Sequence, residues 1–470
     1  MERHGVEILK YYENLGLTLA TIPKGSVAAL LANERVDFIA PDDLKFTLLS
    51  TRMPAGRRAS SSANATSQIT PWGVEALRAP QAWTFTQGSG AKLLLIDKGH
   101  FQGHEDLPNV PTENCLGGYH DSGCSDYPPQ PHGTFMLGVA TARDNGFGTL
   151  GVAPGIPGTS VFVWGACYEI VVNGVLQHLC DNDRVVEALN WATQNLTPNG
   201  VINMSFSHPG TNAAVATAVA SAANAGIVMV ASAGNFGIEQ IEYPAGYSNV
   251  IGVSGMRQDS TFATSGSPCE GDNGSNWGAH VDFAAPWDAY TTDWNHQYAG
   301  AEQGACGTSE ATAYVSGVAL LLRAQGWSAS DIAYQMALTA KDLGSTDKFG
   351  AGLPRADLAL GLKATNALAY IQSGKPKLTW NASPLATEYR IYRRVTPTLS
   401  PEWTLWAVRT TLTYTDVATG VSSIWGNNSC FIWPSETAVA YHVRAYNATH
   451  NVEHVYTSCP TYIANGTPPF

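Results

Sequence analysis

Four polar residues are spaced along the chain in a pattern that suits acyl-transfer chemistry. They are Asp97, His132, Asn235 and Ser309, in that order. A serine is a weak nucleophile until a base removes its proton, and a histidine held by a carboxylate is suited to that task. An amide side chain can donate a hydrogen bond to the oxyanion that develops on the attacked carbonyl. The set therefore predicts a hydrolytic site with Asp97, His132 and Ser309 as the catalytic triad and Asn235 in the oxyanion hole.

Each of these residues also has an ordinary structural explanation. A serine at the start of a helix is most often an N-cap. A histidine near a helix start is usually a surface or core residue, and an aspartate that ends a strand commonly belongs to a turn. An asparagine before glycine-rich sequence is usually there for its left-handed backbone conformation. The joint occurrence of all four, in one order, is what favours the catalytic interpretation.

The surrounding sequence predicts elements that would bring the four residues together. Continuous apolar runs, typical of buried parallel strands, alternate with helical stretches. The runs are Lys92–Ile96, Val161–Trp164, Val201–Met204 and Ile227–Ala231, and the helices are Arg184–Asn195, Thr211–Asn224 and Ala311–Ala324. This alternation predicts an α/β fold with a doubly wound, mostly parallel sheet. Asp97 and Asn235 follow strands, whereas His132 and Ser309 open helices, and these ends meet at one edge of such a sheet.

Composition excludes several classes of function. The chain has 470 residues and a formal net charge of −12, which argues against nucleic acid as a partner because phosphate binding needs clustered cations. Hydrophobic residues make up 44% of the chain and charged residues 14%, so the chain can bury a large core. No segment has the pattern of a membrane span, because the best candidate, Gly210–Ile238, is too rich in Ala, Ser, Thr and Asn.

The pattern of residues also divides the chain into regions. Residues 1–50 contain predicted strands and one predicted helix. The strands are Val6–Tyr11, Leu17–Ile22 and Arg35–Ile39, and the helix is Gly25–Asn33. Residues 51–67 lack apolar periodicity and are rich in Ser, Ala and Arg, which predicts a linker open to proteolysis. Residues 68–372 hold the α/β pattern, and residues 375–470 have short alternating strands that predict a small β-sandwich.

The α/β region resembles the subtilisin-like serine proteases, the subtilase family. The resemblance runs from about Gln68 to Gln372 and includes several ordered motifs. These motifs are Pro71-Trp72-Gly73-Val74, Ala79-Pro80-Gln81-Ala82-Trp83, His104-Glu105-Asp106-Leu107, Leu150-Gly151-Val152-Ala153-Pro154, Val201-Ile202-Asn203-Met204-Ser205, Phe283-Ala284-Ala285-Pro286 and Gly307-Thr308-Ser309-Glu310. The chain departs from the usual pattern at Lys98, Phe135, Glu310 and Ala313, and none of these removes a catalytic group. Lys98 stands where the family's hydroxyl helps to orient the aspartate.

The resemblance implies a serine endopeptidase that acts on proteins or peptides. Residues 1–50 resemble the second half of a subtilase propeptide, which implies a zymogen inhibited in cis until the linker at 51–67 is cleaved. Ser205, Phe206 and Ser207 would form one wall of the pocket for the residue before the scissile bond, with Phe236 near its base. That composition favours an apolar or aromatic preference. Residues 375–470 resemble a fibronectin type III domain, through motifs around Trp380, Tyr389 and Tyr441.

A structural calcium site is implied in the same way. Gln68, Asp106 and Asn145 would provide side-chain oxygens, and Arg143, Phe147 and Thr149 would provide carbonyl oxygens. Six or more oxygen ligands suit calcium. The alternative is a glycine-rich surface turn without metal.

The cysteines indicate whether the protein is secreted or cytosolic. An even count of 8 allows complete pairing, and no Cys-x-x-Cys argues for zinc. We expect pairs that are local in sequence: Cys115–Cys124, Cys167–Cys180, Cys269–Cys306 and Cys430–Cys459. Together with sequons such as Asn64-Ala-Thr and Asn381-Ala-Ser, this favours a secreted, extracellular protein. The alternative is a cytosolic protein with buried free thiols.

The sequence thus predicts a secreted, calcium-binding serine endopeptidase that is made as a zymogen and acts as a monomer. An alternative from another class is a catalytically inactive, protein-binding module with the subtilase fold. Lys98, Phe135 and Glu310, which depart from the usual pattern near the site, are the residues that favour this alternative.

Overall fold

The protein is described from a computed structural model. The described residues are 5–42, 45–48, 67–117, 131–172, 175–266, 269–301, 304–361, 365–372, 375–395, 404–417, 423–424, 438–449, 452–453 and 461–462. The chain divides into two units, Met1–Ile332 with Ala340–Ala356 and Ala333–Thr339 with Asp357–Phe470. Each unit is described by itself.

Two of the helices hold predicted site residues at their first turns. In the described residues the helices are α1 (Val27–Leu31), α2 (Trp72–Ala76), α3 (Ala79–Ala82), α4 (His132–Thr141), α5 (Asn182–Asn195), α6 (Ala213–Asn224), α7 (Thr308–Ala324), α8 (Ala329–Thr339), α9 (Thr346–Phe349) and α10 (Ala356–Gly361). α4 and α7 pack against each other and are buried along almost their whole length. Helices buried on all sides lie in the centre of a large domain, so neighbouring elements surround the start of each helix.

A parallel sheet forms the centre of the first unit. The strands of this unit are β1 (Glu7–Tyr12), β2 (Leu17–Thr21), β3 (Lys45–Leu48), β4 (Lys92–Asp97), β5 (Cys115–Leu116), β6 (Val161–Gly165), β7 (Cys167–Val172), β8 (Val175–Asp181), β9 (Gly200–Met204), β10 (Phe206–Ser207), β11 (Val228–Ser232), β12 (Ile251–Met256), β13 (Thr264–Gly266), β14 (Cys269–Gly274), β15 (Phe283–Pro286), β16 (Thr291–Thr292) and β17 (Tyr298–Ala299). Seven of them form the sheet, in the order β15-β12-β11-β9-β4-β6-β5, and all its pairings are parallel. The α/β prediction with a mostly parallel sheet is confirmed.

The predicted strands and helices of this region are confirmed, with small changes at their ends. The four apolar runs are β4, β6, β9 and β11, and the three predicted helices are α5, α6 and α7. α6 begins at Ala213, later than predicted, because the side chain of Asn212 accepts hydrogen bonds from the N–H groups of Ala214 and Val215. That geometry makes Asn212 an N-cap, and it satisfies two backbone donors that have no partner inside the helix.

One prediction for the N-terminal region is wrong. β1, β2 and α1 form where strands and a helix were predicted, but Arg35–Ile39 is not a strand. An extended segment becomes a strand only when a neighbour bonds its backbone groups, and no described strand pairs with Arg35–Ile39. The paired segment comes later, as β3. It lies in a second, antiparallel sheet with the order β10-β3-β8-β7.

The second unit consists largely of β-structure around one core. Its strands are β18 (Thr365–Gln372), β19 (Lys375–Asn381), β20 (Glu388–Val395), β21 (Thr404–Arg409), β22 (Thr413–Thr415), β23 (Ser423–Ile424), β24 (Ala438–Asn447), β25 (Val452–Glu453) and β26 (Thr461–Tyr462). They form two sheets, with the orders β22-β19-β18-β26 and β21-β20-β24-β23, and β25 also pairs with β24 in the second sheet. Trp380, Tyr389 and Tyr441 are buried in the shared core. β18 pairs with β19, so this sheet begins before residue 375.

Two of the expected disulfides are confirmed, Cys167–Cys180 and Cys269–Cys306. This first bond links Cys167, at the start of β7, to Cys180, near the end of β8, so it closes the β7–β8 hairpin. Cys124, Cys430 and Cys459 lie outside the described residues, so the two pairs that involve them stay predictions. In the described part of the chain, no helix is long and apolar enough to cross a membrane.

We expect mass spectrometry of unreduced peptides to recover Cys115–Cys124 and Cys430–Cys459 beside the two pairs seen here. Each bridge limits the conformations of the unfolded chain, which typically stabilises a fold by about 2 to 4 kcal/mol. Alkylation of Cys430 or Cys459 before any reductant is added would contradict the pairing.

Candidate active site

Asp97 and His132 are brought together from a strand end and a helix start. Asp97 ends β4 and is fully buried, and His132 begins α4. His132 Nδ1 lies 2.8 Å from Asp97 Oδ2 and 3.0 Å from Oδ1. Gly133 permits this approach, because a Cβ atom there would lie 1.8 Å from the carbonyl oxygen of Gly99. Since Nδ1 faces the carboxylate, Nε2 is the ring atom left for chemistry, and no described residue hydrogen-bonds to it.

Ser309 is the second residue of α7 and is fully buried. Its Oγ donates to the carbonyl oxygen of Ser205 at 3.2 Å, and Ser205 Oγ donates to the carbonyl oxygen of Ser309 at 3.2 Å. Ser205 Oγ also lies 3.4 Å from Met136 Sδ, one turn after His132 in α4. Ser205 therefore links the start of α7 to the helix that holds the histidine.

The side-chain amide of Asn235 is hydrogen-bonded through its oxygen, whereas its nitrogen has no partner among the described residues. Its Oδ1 accepts from the N–H of Thr308 at 2.9 Å and from Thr308 Oγ1 at 2.7 Å. Its Nδ2 is buried, and within the described residues it has no hydrogen-bond partner. Gly307 has φ +151°, and a Cβ atom there would lie 2.7 Å from this Nδ2. Glycine thus keeps the space before the amide open, as a donor to an oxyanion requires.

Lys98 turns its charge away from the pair of Asp97 and His132. Its N–H donates to Asp97 Oδ1 at 2.8 Å, so the main chain provides a donor where the usual hydroxyl is missing. Its Nζ lies 2.5 Å from Glu169 Oε1 on β7, and His178 Nδ1 on β8 lies 3.3 Å from the same oxygen. Burial would raise the pKa of Glu169, but the bond from His178 and the charge of Lys98 outweigh it, and the pKa is lowered.

The predicted wall residues Ser205, Phe206 and Ser207 lie at an edge that β3 covers. The antiparallel pairs are Phe206↔Leu48 and Ser207↔Thr47 on one side of β3, and Lys45↔Asp181, Phe46↔Cys180 and Thr47↔Leu179 on the other. Phe206 is fully buried, and its ring lies 5.1 Å from the ring of Phe46. Phe206 of β10 therefore packs against Phe46 of β3. Phe236 is 42% exposed.

The residues expected to bind calcium are joined by a network of hydrogen bonds. Gln68 Nε2 lies 2.6 Å from the carbonyl oxygen of Arg143, 3.4 Å from that of Thr149 and 3.5 Å from Asn145 Oδ1. Asp106 is fully buried, and its carboxylate accepts from Asn145 Nδ2 at 3.1 Å and from the N–H of Thr149 at 2.7 Å. Phe147 joins the group through its N–H, which lies 3.3 Å from Asn145 Oδ1.

This set of oxygens suits a hard cation. Three of them surround the amide of Gln68, which can turn to present its own oxygen instead. The set holds one carboxylate. Among the described residues, no cluster of three or more His, Cys, Asp or Glu side chains that could hold a metal ion is present. A metal here would therefore depend mainly on carbonyl and amide oxygens.

Glu242 is a residue near the site that the sequence interpretation missed. It is 1% exposed, and a Cβ atom on Gly234 would lie 3.0 Å from its Cγ. Gln240 Nε2 donates to its Oε1 at 3.3 Å, whereas its Oε2 has no hydrogen-bond partner in the described part of the chain. Burial raises the pKa of Glu242 to about 7, although the neighbouring Ser207 hydroxyl acts to lower it. No motif in the sequence marks Glu242, because its role depends on where its loop is folded.

Comparison with known proteins agrees with this geometry. Residues 88–352 match the model of the subtilase family. The chain is 33% identical over 303 residues to subtilisin BL of Lederbergia lenta, a match that covers 62% of this chain and 99% of that protein. It is 33% identical over 293 residues to thermitase of Thermoactinomyces vulgaris, with 60% and 91% covered. An alkaline protease of Alkalihalobacillus alcalophilus is 30% identical over 365 residues, with 75% and 82% covered.

The chain belongs to the subtilase family. It is a serine-type endopeptidase, a hydrolase of the kind that these relatives represent. The alternative of an inactive binding module is therefore set aside.

The buried carboxyl of Glu242 should make stability depend on pH. Its pKa is raised in the folded protein, so the folded state binds this proton more tightly than the unfolded chain does. The resulting contribution to the free energy of unfolding is complete below about pH 4.5 and is lost as the pH rises to about 7. Glu242→Gln should remove this loss. We expect the variant to gain about 1 to 3 kcal/mol over the parent at pH 8, relative to their difference at pH 4.5.

The measurement is denaturant unfolding of both proteins at the two pH values, in a Ser309→Ala background that prevents self-digestion. Glu239→Gln is the matched control, because Glu239 lies nearby and is exposed. If Glu242→Gln and Glu239→Gln change stability equally at both pH values, the carboxyl of Glu242 does not carry a raised pKa.

Proposed function

We propose that the chain is a secreted, calcium-binding serine endopeptidase, made as a zymogen, with Asp97, His132 and Ser309 as its triad and Asn235 as oxyanion donor. One observation carries the proposal. Two polar atoms, His132 Nε2 and Asn235 Nδ2, are buried and have no hydrogen-bond partner among the described residues, while the opposite end of each side chain is held. A buried polar atom without a partner costs free energy, so this pattern belongs where a reacting group completes the site.

The first step of the reaction forms a tetrahedral intermediate. Ser309 Oγ attacks the carbonyl carbon of the scissile bond while its proton passes to His132 Nε2. Asp97, bonded to Nδ1, stabilises the imidazolium that results. The carbonyl oxygen becomes an oxyanion and accepts a hydrogen bond from Asn235 Nδ2. A single donor of this kind accounts for about 10²- to 10³-fold in kcat.

The later steps form an acyl-enzyme and then return the enzyme to its starting state. His132 gives its proton to the leaving amine, and the peptide bond breaks. A water molecule then attacks the acyl carbon with His132 Nε2 again as base, and the acid product leaves Ser309 with its proton restored. Lys98 does not interfere, because its ammonium is neutralised by Glu169.

Residues 1–50 are proposed to act as an intramolecular inhibitor, joined by the linker at 51–67 to the peptidase region that begins at residue 68. Support comes from β3, which pairs with β8 and β10 where a substrate strand would bind. Lys45 Nζ lies 2.6 Å from Asp181 Oδ1, and Phe46 is 2% exposed. Tyr12 adds a second contact, because its hydroxyl donates to Glu187 Oε1 at 3.4 Å. An aromatic preference is proposed for the substrate position that Phe46 occupies.

The remaining parts of the proposal rest on separate observations. Secretion is supported by the disulfides Cys167–Cys180 and Cys269–Cys306, since such bonds persist in oxidising compartments. Calcium would be held by Gln68, Asp106 and Asn145 together with main-chain carbonyls, and it would stabilise the fold without entering the reaction. Residues 375–470 are proposed to be a fibronectin type III-like domain, and the protein is proposed to act as a monomer.

Ser309→Ala should abolish both peptide hydrolysis and cleavage of the linker. Without the nucleophile the rate falls by several orders of magnitude, and the precursor accumulates. The measurement is labelling by a fluorophosphonate together with N-terminal sequencing of the purified protein. Ser330→Ala is the control, because Ser330 is an exposed serine. A Ser309→Ala precursor that cleaves itself at the parental rate would disprove processing in cis.

Calcium should raise the melting temperature, because a ligand that binds only the folded state stabilises it. At a concentration 100 times the dissociation constant, the stabilisation is about 2.7 kcal/mol. Asp106→Ala should remove the difference between calcium and chelator, whereas Asp144→Ala should keep it, since Asp144 is exposed on the same loop. Scanning calorimetry in the Ser309→Ala background measures this. Coincident curves for the parent with calcium and with chelator would show that the site binds no calcium.

A further inference from the structure

Glu242 is a buried carboxylate that the proposed mechanism does not use. Its Oε1 accepts a hydrogen bond from Gln240 Nε2, and its Oε2 has no hydrogen-bond partner among the described residues. No nearby cation is among the groups that set its pKa, which responds to burial and to Ser207. A buried, uncompensated carboxylate costs free energy, so it is expected where a ligand can supply the missing charge.

The register of β3 locates the reacting bond relative to this carboxylate. Thr47 lies opposite Ser207, and Leu48 lies opposite Phe206. In a substrate peptide bound with the same register, the next residue lies opposite Ser205. The carbonyl oxygen of Ser205 is the group that Ser309 Oγ contacts. The residue opposite Ser205 therefore presents the carbonyl that Ser309 attacks, and it is the residue immediately before the scissile bond.

The side chain of that residue would extend between two strand ends. Ser232 Oγ donates to the carbonyl oxygen of Phe206 at 3.2 Å and so joins β11 to β10. Gly234, the residue before Asn235, has φ +109°, and a Cβ atom there would lie 2.5 Å from Asn276 Nδ2 and 3.0 Å from Glu242 Cγ. The carboxyl of Glu242 also neighbours the hydroxyl of Ser207, which acts to lower its pKa.

The position of Glu242 is fixed by its neighbour in the chain. The N–H of Tyr243 donates to the carbonyl oxygen of His208 at 2.8 Å, and the N–H of His208 donates to that of Tyr243 at 2.9 Å. His208 directly follows β10, so this pair of bonds ties the Glu242 loop to the strand that a substrate would join.

We propose that Glu242 closes the pocket for the residue immediately before the scissile bond and selects lysine or arginine there. The inference rests on the proposed function and names the substrate class of the same site. A lysine or arginine places its alkyl stem along Gly234 and its cation at the open oxygen of Glu242. An apolar side chain of the same length leaves that oxygen without a partner, and an acidic one adds a like charge.

This assignment separates two preferences along one substrate. The aromatic preference belongs to the position of Phe46, where Phe206 forms the contact. The cationic preference belongs to the position opposite Ser205. The peptide Phe-Thr-Leu-X with a fluorogenic amide at its end copies Phe46–Leu48 and places the variable residue X before the bond that is cleaved.

The test compares kcat/KM for X as lysine, arginine, norleucine, phenylalanine and glutamate. Norleucine is the critical comparison, because it has an unbranched alkyl chain like the stem of lysine but no charge. We expect wild type to prefer lysine or arginine over norleucine by about tenfold or more, since a site built to pair with a polar group rejects an analogue that lacks it. Glu242→Gln should bring the ratio close to one by slowing cleavage after the cations. Glu239→Gln, the matched control, should leave the ratio unchanged.

Fluorophosphonate labelling of each preparation shows whether the catalytic serine is intact. A fully labelled Glu242→Gln enzyme with the wild-type ratio would overturn the proposal, and so would a wild-type enzyme that prefers norleucine. If Glu242→Gln fails to fold, inhibition of wild type decides: benzamidine should compete with substrate, whereas neutral benzamide should not. Equal inhibition by the two compounds would count against the assignment. An unlabelled wild-type enzyme that cleaves no peptide would instead disprove the proposed function itself.

Discussion

The hydrogen bond between Asp97 and His132 is the interaction on which the geometry of the site depends. Asp97 is fully buried, and a buried carboxylate is tolerated only when donors compensate it. The ring of His132 and the N–H of Lys98 supply those donors. The bond joins the end of the central strand β4 to the first residue of α4, so it orients the imidazole and determines which nitrogen faces the cleft.

A second constraint comes from the strands that border the cleft. β10 and β8 each offer backbone hydrogen-bonding groups to the space between them, and β3 occupies that space. The β7–β8 hairpin is held by Cys167–Cys180, and Glu169 ties it to Lys98, the residue after Asp97. The β7–β8 hairpin beside β3 and the buried carboxylate of Asp97 are thus connected through one ion pair and the residue that follows Asp97. The lysine that departs from the family pattern has a structural role in this connection.

Much of the fold and the location of the candidate site could be predicted from the sequence. The buried strands are continuous apolar runs, and α7 begins beside Gly307, so periodicity and local residue types were sufficient for these elements. Prediction failed at Arg35–Ile39, which has strand-like composition but no paired neighbour. Sequence also did not predict that the ring of Phe206 packs against Phe46, because that contact depends on the register between β3 and β10.

The sequence by itself determined the chemical groups of this protein and the elements that hold them, because helix starts and strand ends are set by local patterns of residues. Only the tertiary structure decided which distant groups share one environment. Lys98 pairs with Glu169, Phe46 packs on Phe206, and Glu242 lies behind Gly234. Each of these contacts joins segments whose approach depends on how helices and strands pack, and burial then sets the strength of every charge involved. Local sequence holds no record of that packing, so the surroundings of each buried charge become visible only in the folded protein.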